Sequence, residues 1–290
     1  MKAPMFGYQR VDSAAEAVAA LRELGSEARV LAGGQSLLPM LSIRLAAPSH
    51  LVDIGRAADL ATVTAENGSL VIGAAATQWS VENDQAATTA SPLLADAISR
   101  AGQVPIRHRG TVLGSIAHAD PSAEIPAAVL AQGATMVIAG AGEEREVAAD
   151  DFFQGPYMTA VDDGELLREV RVERWADGTG HAFEEFSHSR ESWPVVTAAV
   201  LMHMTDGAID RVAIAMSGVG GRPVRADQVE QELTGQTPTA ELLAGAANSA
   251  TASLEPFSDV FGSGRYRKKV VTALVRRALT TAGNRAGGEA

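Results

Sequence analysis

The sequence predicts an α+β fold, from three observations on how apolar and turn-forming residues are ordered. Near the N-terminus a strand, a glycine-rich turn, a helix and a second strand follow one another, which is the order of a parallel crossover. In the middle, alternating apolar residues flank Asn67-Gly68, a strong signal for a tight hairpin. Towards the C-terminus, strand-like stretches are followed by three helical ones, which predicts a small antiparallel sheet and a helical bundle.

This order divides the chain into two expected domains. The first, 1–176, combines a small parallel-strand unit (about 1–55) with an antiparallel-strand unit (about 56–176), and the second is the C-terminal domain, 177–290. A length of 290 residues suits two or three domains.

The elements of the first unit follow from caps and apolar spacing. Ser13 or Asp12 can begin a helix through DSAAEAVAALRELG, with Glu16 completing a capping box. RVLAG then predicts a buried strand, SLLPMLSIRL a helix with Ser36 as its N-cap, and HLVDI a second strand.

The later elements are predicted in the same way. SPLLADAISRAG has helical spacing, and ATMVIAGAGEEREVA predicts a hairpin around Gly140–Gly142. HAFEEFSHSR and VVTAAVLMHMTDGAIDRVAIAMSGVG predict an antiparallel meander. Three helices are expected after it, in RADQVEQELTG, ELLAGAANSA and YRKKVVTALVRRALTTAG.

Composition excludes several classes of function. A formal net charge of −11 argues against nucleic acid as a partner. The absence of cysteine excludes disulfides, a cysteine nucleophile, a thiolate zinc site and a cysteine-ligated iron–sulfur cluster in this chain. The six histidines lack ligand spacing, so we expect no metal site. No apolar run reaches the ~18 residues of a membrane span, and MKAPMFGYQR is no secretory signal, so we expect a cytoplasmic protein.

The segment LAGGQS is the first candidate binding site. A strand that ends in Gly33-Gly34 and leads into a helix at Ser36 leaves backbone N–H groups free at the helix start, and an anion can lie against them. A phosphate or pyrophosphate is the expected ligand. The pattern is neither G-x-G-x-x-G nor a Walker loop, and a tight turn without a ligand is the alternative.

The segment GTVLGSIAHADPSAE is the second. Gly110, Gly114 and Ser115 predict a loop rich in exposed backbone, and the Thr111 hydroxyl adds a donor. Two such loops suit an extended ligand with a central pyrophosphate.

A helix is then expected from Asp120-Pro121, with Glu124 in its first turn. The carboxylate of Glu124 can accept hydrogen bonds from a ribose or from nearby amides, or it can simply favour the helix start. A histidine such as His118, taken alone, is more often structural than functional.

Two motifs and their flanks resemble a known family. AGGQS followed by LLP, and TVLGSIAHADPSAE, are similar to the two FAD-binding motifs of the medium subunit of molybdenum hydroxylases, the family of the carbon-monoxide-dehydrogenase medium chain and the xanthine-dehydrogenase flavin domain. The similarity continues through PMFGYQRVDSAAEAVAAL, SGVGGRPVRADQVEQELTG and YRKKVVTALVRRAL, so it covers nearly the whole chain.

The resemblance implies that 1–176 is an FAD-binding domain and assigns residues to the cofactor. The first motif would wrap the pyrophosphate and ribityl region, the second would lie along the flavin and pyrophosphate, Leu167 (or its neighbour Leu166) would touch the cofactor, and an aromatic side chain in SRESWP would cover one flavin face. The implied cofactor-binding residues are Arg29, Leu31, Ala32, Gly33, Gly34, Gln35, Ser36, Leu37, Thr111, Gly114, Ser115, His118, Glu124, Leu167 and Trp193.

Three positions depart from the family pattern. Leu113 stands where a second glycine is common, so its side chain is expected to point into the core. Glu184 and Glu185 occupy a stretch in which many relatives carry a lysine near the cofactor. Trp193 replaces the commoner Tyr or Asp, which bears on the electron acceptor.

The function implied by the resemblance is that of an electron-transfer subunit of an oxidoreductase. Partner subunits would hold molybdopterin (the large subunit) and two [2Fe–2S] clusters (the small subunit), in a dimer of heterotrimers, and electrons would pass to FAD and then to an external acceptor. No catalytic residue is expected in this chain. A free-standing FAD- or nucleotide-binding oxidoreductase or regulatory protein is the alternative. Neither the substrate nor the acceptor follows from the sequence.

Overall fold

The N-terminal unit is a parallel sheet, as predicted, but it has three strands where the sequence predicted two. The computed structural model describes residues 2–189 and 192–288. Strands β1 (Gly7–Arg10), β2 (Ala28–Leu31) and β3 (His50–Asp53) lie in the order β1-β3-β2, and both pairings are parallel. Helix α1 (Ala14–Leu24) joins β1 to β2, and the short helix α2 (Leu37–Ser42) joins β2 to β3.

A side-chain cap begins helix α1, whereas helix α2 begins without one. The Ser13 hydroxyl accepts the Glu16 N–H at 3.2 Å, and the Glu16 carboxylate accepts the Asp12 N–H at 3.0 Å, so the predicted box forms one residue wider than expected. Helix α2 is shorter than the predicted 36–45 stretch. Ser36 occupies its cap position without a side-chain bond, and Arg44 adopts a left-handed φ of 60°, which ends the helix.

The middle unit is a five-stranded antiparallel sheet in the order β4-β5-β10-β6-β7. Asn67 and Gly68 have φ angles of 50° and 77°, which are those of the tight turn predicted from their sequence. The strands of this unit, including a short hairpin outside the sheet, are β4 (Val63–Glu66), β5 (Ser69–Gly73), β6 (Thr135–Ala139), β7 (Glu144–Ala148), β8 (Phe153–Gly155), β9 (Met158–Thr159) and β10 (Leu166–Glu173).

Seven helices of the described chain belong to this unit. Between β5 and β6 the chain forms α3 (Gln78–Glu82), α4 (Gln85–Ala90), α5 (Pro92–Arg100), α6 (Val104–Arg107), α7 (Val112–His118) and α8 (Glu124–Ala131), and α9 (Ala149–Phe152) follows β7. Helix α8 is buried along almost its whole length, because its residues IPAAVLA carry no charge.

The C-terminal unit has the predicted meander and helices. Its sheet has the order β11-β12-β13-β14, from β11 (Gly180–Phe186), β12 (Val196–Thr205), β13 (Ala208–Ser217) and β14 (Val224–Arg225). Helices α10 (Asp227–Leu233), α11 (Ala240–Ala252) and α12 (Gly264–Ala286) cover one face. The other face packs against α8, so the second sheet shares the core of the first 176 residues. No helix within 2–189 or 192–288 is long and apolar enough to cross a membrane.

Candidate functional site

The two glycine-bearing segments touch each other. A Cβ built on Gly33 would lie 2.1 Å from the Arg109 carbonyl oxygen and 2.6 Å from the Gly110 Cα. No side chain fits in that space, so the backbone of the first segment approaches the backbone of the second as closely as glycine allows. The sequence predicted two loops for one ligand, and the fold places them in contact.

The first segment has the free backbone donors that its sequence predicted. Gly34 has a left-handed φ of 73°, which turns the chain from β2 towards α2. The N–H groups of Gly34, Gln35 and Ser36 donate to no other group in the described part of the chain. The Gln35 side-chain amide donates to the Gly33 carbonyl at 3.1 Å, and this bond stabilises the turn.

Thr111 shapes the second segment differently from the prediction. Its hydroxyl accepts the Gly114 N–H at 2.9 Å and begins helix α7, so Gly114 and Ser115 lie in a helix and not in a loop. The reason is that Thr is a good N-cap and VLGSIAH has no breaker strong enough to prevent a short helix. The hydroxyl of Ser115 forms no hydrogen bond within the described residues. Leu113 is buried in the core, as expected.

Gln78 was not identified from the sequence. Its backbone N–H donates to the Gly110 carbonyl at 2.8 Å, and its side chain lies 3.4 Å from where a Gly110 Cβ would be. The side-chain oxygen is buried and has no hydrogen-bond partner among the described residues. A buried acceptor of this kind at the junction of two glycine segments is what a donor group of a ligand would satisfy. No motif marks TQWS, so only the three-dimensional contact reveals it.

Ala119, the residue after α7, and Tyr157, which bonds to it, both have a left-handed backbone conformation that is unfavourable for residues other than glycine. Ala119 and Tyr157 have φ angles of 49° and 57°, and the Tyr157 N–H donates to the Ala119 carbonyl at 3.0 Å. The Tyr157 phenol donates to Asp120 at 3.3 Å, and its ring lies 5.1 Å from the His118 ring. Burial lowers the pKa of His118, although the charge of Asp120 opposes this, so the imidazole is neutral near neutral pH.

Glu124 begins α8 and is in its first turn, as predicted. The helix starts at Glu124 and not at Asp120-Pro121, because the Asp120 side chain accepts the Ser122 N–H at 2.8 Å and holds the chain in a turn. Burial raises the pKa of Glu124 to about 8, the bond to its own backbone N–H opposes this, and the charges of Glu185 and Asp120 raise it further. The carboxyl group is therefore largely neutral at pH 7.

The predicted residues around the first glycine turn differ in their exposure and in their hydrogen bonds. Leu31, Ala32 and Leu37 flank the first turn and are partly buried, while Ser36 is exposed and its hydroxyl forms no hydrogen bond within the described residues. The Arg29 guanidinium donates to the carbonyl of Ser26 at 2.7 Å; Ser26 precedes β2, whereas the glycines follow it.

The last two predicted residues, Leu167 and Trp193, differ in exposure. Leu167 is 5% exposed and belongs to the core, where it pairs with Ile138 of β6. Trp193 is 68% exposed. Arg190 and Glu191 of the same SRESWP segment lie outside the described residues. Glu184 forms an ion pair with Arg277, whereas one carboxyl oxygen of Glu185 is buried and has no hydrogen-bond partner among the described residues. No group of three or more metal-ligating side chains occurs in the described chain.

Two family models together match most of the chain. The FAD binding domain in molybdopterin dehydrogenase matches residues 4–175, and the CO dehydrogenase flavoprotein C-terminal domain matches residues 181–282. The first contains both glycine segments, and the second begins within β11.

Full-length relatives and a solved structure agree with these matches. The carbon monoxide dehydrogenase medium chain of Hydrogenophaga pseudoflava is 38% identical over 96% of this chain and 97% of that protein. The 6-hydroxypseudooxynicotine dehydrogenase complex subunit alpha of Paenarthrobacter nicotinovorans is 33% identical over 99% and 97%. The structure of carbon monoxide dehydrogenase from H. pseudoflava, in a form lacking the Mo-pyranopterin moiety of the molybdenum cofactor, has a TM-score of 0.96 at 38% identity, over 98% of this chain and 99% of that one.

Proposed function

This chain belongs to the FAD-binding medium subunits of the molybdenum hydroxylases, and we propose that it is the electron-transfer subunit of such an enzyme. Electrons would reach its FAD from [2Fe–2S] clusters of a small partner subunit and leave to an external acceptor. The observation that carries the proposal is the contact between Gly33 and Gly110, which joins two glycine segments into one cradle with free backbone donors.

The residues present fit an FAD pyrophosphate. The unpaired N–H groups of Gly34, Gln35 and Ser36 offer donors to phosphate oxygens, and the free hydroxyls of Ser36 and Ser115 add two more. Thr111 holds the N-terminus of α7 in place, while the orphan oxygen of Gln78 offers an acceptor to a hydroxyl or amine of the cofactor. Flavin supplies one- and two-electron redox chemistry when bound, and the protein supplies binding and electrostatics.

The other predicted contacts are part of the same proposal. His118, neutral at the end of α7, and Glu124, at the start of α8, border the second segment. Leu31, Ala32 and Leu37 provide apolar contact around the first turn. Arg29, Leu167 and Trp193 are proposed to contribute from the edges of the site, and Trp193 is exposed enough to cover a flat ring.

The partner subunits are inferred from chemistry and from relatives. Because the chain has no cysteine, cysteine-ligated clusters must be held by another subunit. We propose a large molybdopterin subunit and a small iron–sulfur subunit, in a dimer of heterotrimers. The relatives are subunits of enzymes named for chemically unrelated substrates, carbon monoxide and 6-hydroxypseudooxynicotine among them, which agrees with a substrate site outside this chain. A domain boundary near 176–177 is supported by the ends of the two family models.

Purification of the native protein tests the proposal. We expect a yellow complex in which this chain carries FAD and in which larger and smaller subunits contain molybdenum and iron. The chain expressed alone should release FAD on denaturation and contain neither metal. If the native protein isolates without partners, it is instead a free-standing flavoprotein, and if the released cofactor is FMN or absent, the cradle has been assigned wrongly.

Trp193 provides a narrower test of the flavin face. Because its side chain is 68% exposed, replacing it should leave the free energy of unfolding within about 0.5 kcal/mol of wild type. Trp193→Ala should nevertheless shift the flavin absorption spectrum or change the rate of flavin reoxidation. Trp193→Phe keeps an aromatic ring and should retain most of the wild-type behaviour. An unchanged spectrum and rate in Trp193→Ala would place this residue away from the flavin.

A further inference from the structure

Helix α3 lies against the stretch of chain that leads into the second glycine segment, residues 107–110. Its first residue, Gln78, donates its backbone N–H to the Gly110 carbonyl at 2.8 Å. The ring of the next residue, Trp79, stacks on the ring of His108, with 4.1 Å between the centroids. The N-terminal end of the helix is therefore held by two contacts to this stretch.

A bidentate ion pair holds the other end of α3. The Arg107 guanidinium donates from Nε to one carboxylate oxygen of Glu82 at 2.8 Å and from Nη2 to the other at 3.1 Å. Its Nη1 donates to the Gly102 carbonyl at 2.7 Å, so the same side chain also binds the turn that precedes α6. Two parallel hydrogen bonds between a planar guanidinium and a carboxylate fix the orientation of the two groups as well as their distance.

The contacts at the two ends of α3 lie on one face of the helix. Gln78 and Glu82 are four positions apart, and side chains at this spacing are neighbours on a helix surface. Arg109, whose carbonyl oxygen would lie 2.1 Å from a Gly33 Cβ, falls between the residues that these two contact. Helix α3 therefore holds the chain on both sides of the point where the glycine segments meet.

Backbone hydrogen bonds connect the position of Arg107 to the second glycine segment. The N–H groups of Arg109 and Gly110 both donate to the Ile106 carbonyl, at 3.1 and 2.7 Å. These bonds continue α6 as a tight turn that contains Arg107. A movement of Arg107 must therefore also move the backbone that Gly33 contacts.

The Arg107 side chain is not itself free to bind a ligand. Protein atoms alone leave the residue 7% exposed, and all three nitrogens of its guanidinium donate to Glu82 or Gly102. Any effect of Arg107 on a ligand must pass through the parts of the chain that it holds, which are helix α3 and the backbone of residues 108–110.

We propose that Arg107 is a positioning residue of the FAD site, which acts through Glu82 by holding α3 against the second glycine segment. The ion pair keeps the Gly110 backbone in contact with the first segment, and it keeps the unpartnered oxygen of Gln78 at their junction. This role depends on the proposed function, because it concerns the same cofactor.

The Kd for FAD of the folded, full-length chain tests this role. Arg107→Met removes both bonds to Glu82 and should raise the Kd by about tenfold or more, which is the loss typical of removing a group that orients a binding residue. Arg107→Lys keeps the positive charge but not the paired geometry, so its Kd should lie between those of wild type and Arg107→Met.

A double-mutant cycle tests whether Arg107 acts through Glu82. Glu82→Gln alone should also raise the Kd for FAD, because it removes the charge that orients the guanidinium. The double variant Arg107→Met/Glu82→Gln should raise the Kd no further than the larger of the two single effects, since both substitutions remove the same contact.

Arg225→Met is the matched control. Arg225 forms a similar ion pair with Glu230 at 3.0 Å, and its side chain is 19% exposed, against 9% for that of Arg107. Both methionine variants remove a largely buried ion pair, so both should lower the urea midpoint of unfolding. Only Arg107→Met should raise the Kd for FAD, which separates positioning of the site from stability of the fold.

Three results would overturn the proposal: an unchanged Kd in folded Arg107→Met, an equal rise in Arg225→Met, or additive losses in the double variant. If Arg107→Met fails to fold, Arg107→Lys and Glu82→Gln provide the same comparison with Arg225→Met. A wild-type chain that binds no FAD would refute the proposed function as well. A wild-type chain that binds FAD, with unchanged affinity in the variants, would refute only the role of Arg107.

Discussion

Gly33→Ala is expected to abolish stable retention of FAD. The added Cβ would lie 2.1 Å from the Arg109 carbonyl and 2.6 Å from the Gly110 Cα, and both neighbours are backbone atoms that cannot rotate away. The two glycine segments must therefore separate, and the free N–H groups at 34–36 no longer face the same ligand as α7. A forced separation of this kind costs about 1–3 kcal/mol, or roughly fivefold to more than a hundredfold in affinity. The measurement is the FAD-to-protein ratio after gel filtration, together with the Kd for FAD.

Gly245→Ala is the matched control for that substitution. Gly245 lies within α11, and a Cβ there would meet nothing within 4 Å. The same chemical change should leave FAD retention unaltered and stabilise the helix by up to about 1 kcal/mol. Circular dichroism of Gly33→Ala distinguishes loss of the site from loss of the fold. Stoichiometric FAD in folded Gly33→Ala would show that the cofactor does not depend on this close approach.

Local signals in the sequence were sufficient for much of the fold. The Asn67-Gly68 turn, the Ser13 cap and the parallel crossover around Gly33-Gly34 all depend on residues within a few positions of each other, and all three form as predicted. The two glycine segments were predicted to serve one ligand, and Gly33 does contact Gly110. Turns and helix caps that depend on neighbouring residues therefore form in this structure as their sequences predict.

Interactions between distant positions could not be predicted in this way. Gln78 becomes part of the site because its N–H binds Gly110, 32 positions later in the chain. Glu185, Thr197 and Ser217 become neighbours only through strand register, and no spacing in the sequence relates Glu185 to Ser217. Helix α8 starts at Glu124 and not at Asp120, because a side-chain bond to Ser122 competes with helix formation. Such features follow from pairing and packing, not from residue pattern.

Arg267 makes a further set of long-range contacts that the sequence did not predict, and we expect these contacts to contribute several kcal/mol to the free energy of unfolding. The sequence predicted a helix in YRKKVVTALVRRALTTAG but not that one of its arginines is buried, and Arg267 is only 1% exposed. Its guanidinium donates to the carbonyls of Val195 and Gly218 and to the Asp259 carboxylate, which lies 2.7 Å away. It also lies 4.4 Å from the Phe257 ring centroid. One side chain of α12 thus joins β12, the turn after β13 and the loop before the helix.

Arg267→Met is expected to destabilise the C-terminal unit by about 3–5 kcal/mol, because it leaves the Val195 and Gly218 carbonyls without a buried donor and Asp259 without its cation. Urea unfolding measures this loss. Arg277→Met, on the same helix, removes an ion pair with Glu184 whose arginine is 58% exposed, and should cost at most about 1 kcal/mol.

Arg267 also lowers the pKa of Asp259, so the stabilisation it gives in wild type is lost as the pH falls below about 3.8, and Arg267→Met should lack that acid-dependent loss. Equal destabilisation in the two methionine variants would mean that the buried contacts of Arg267 contribute no more than a surface pair.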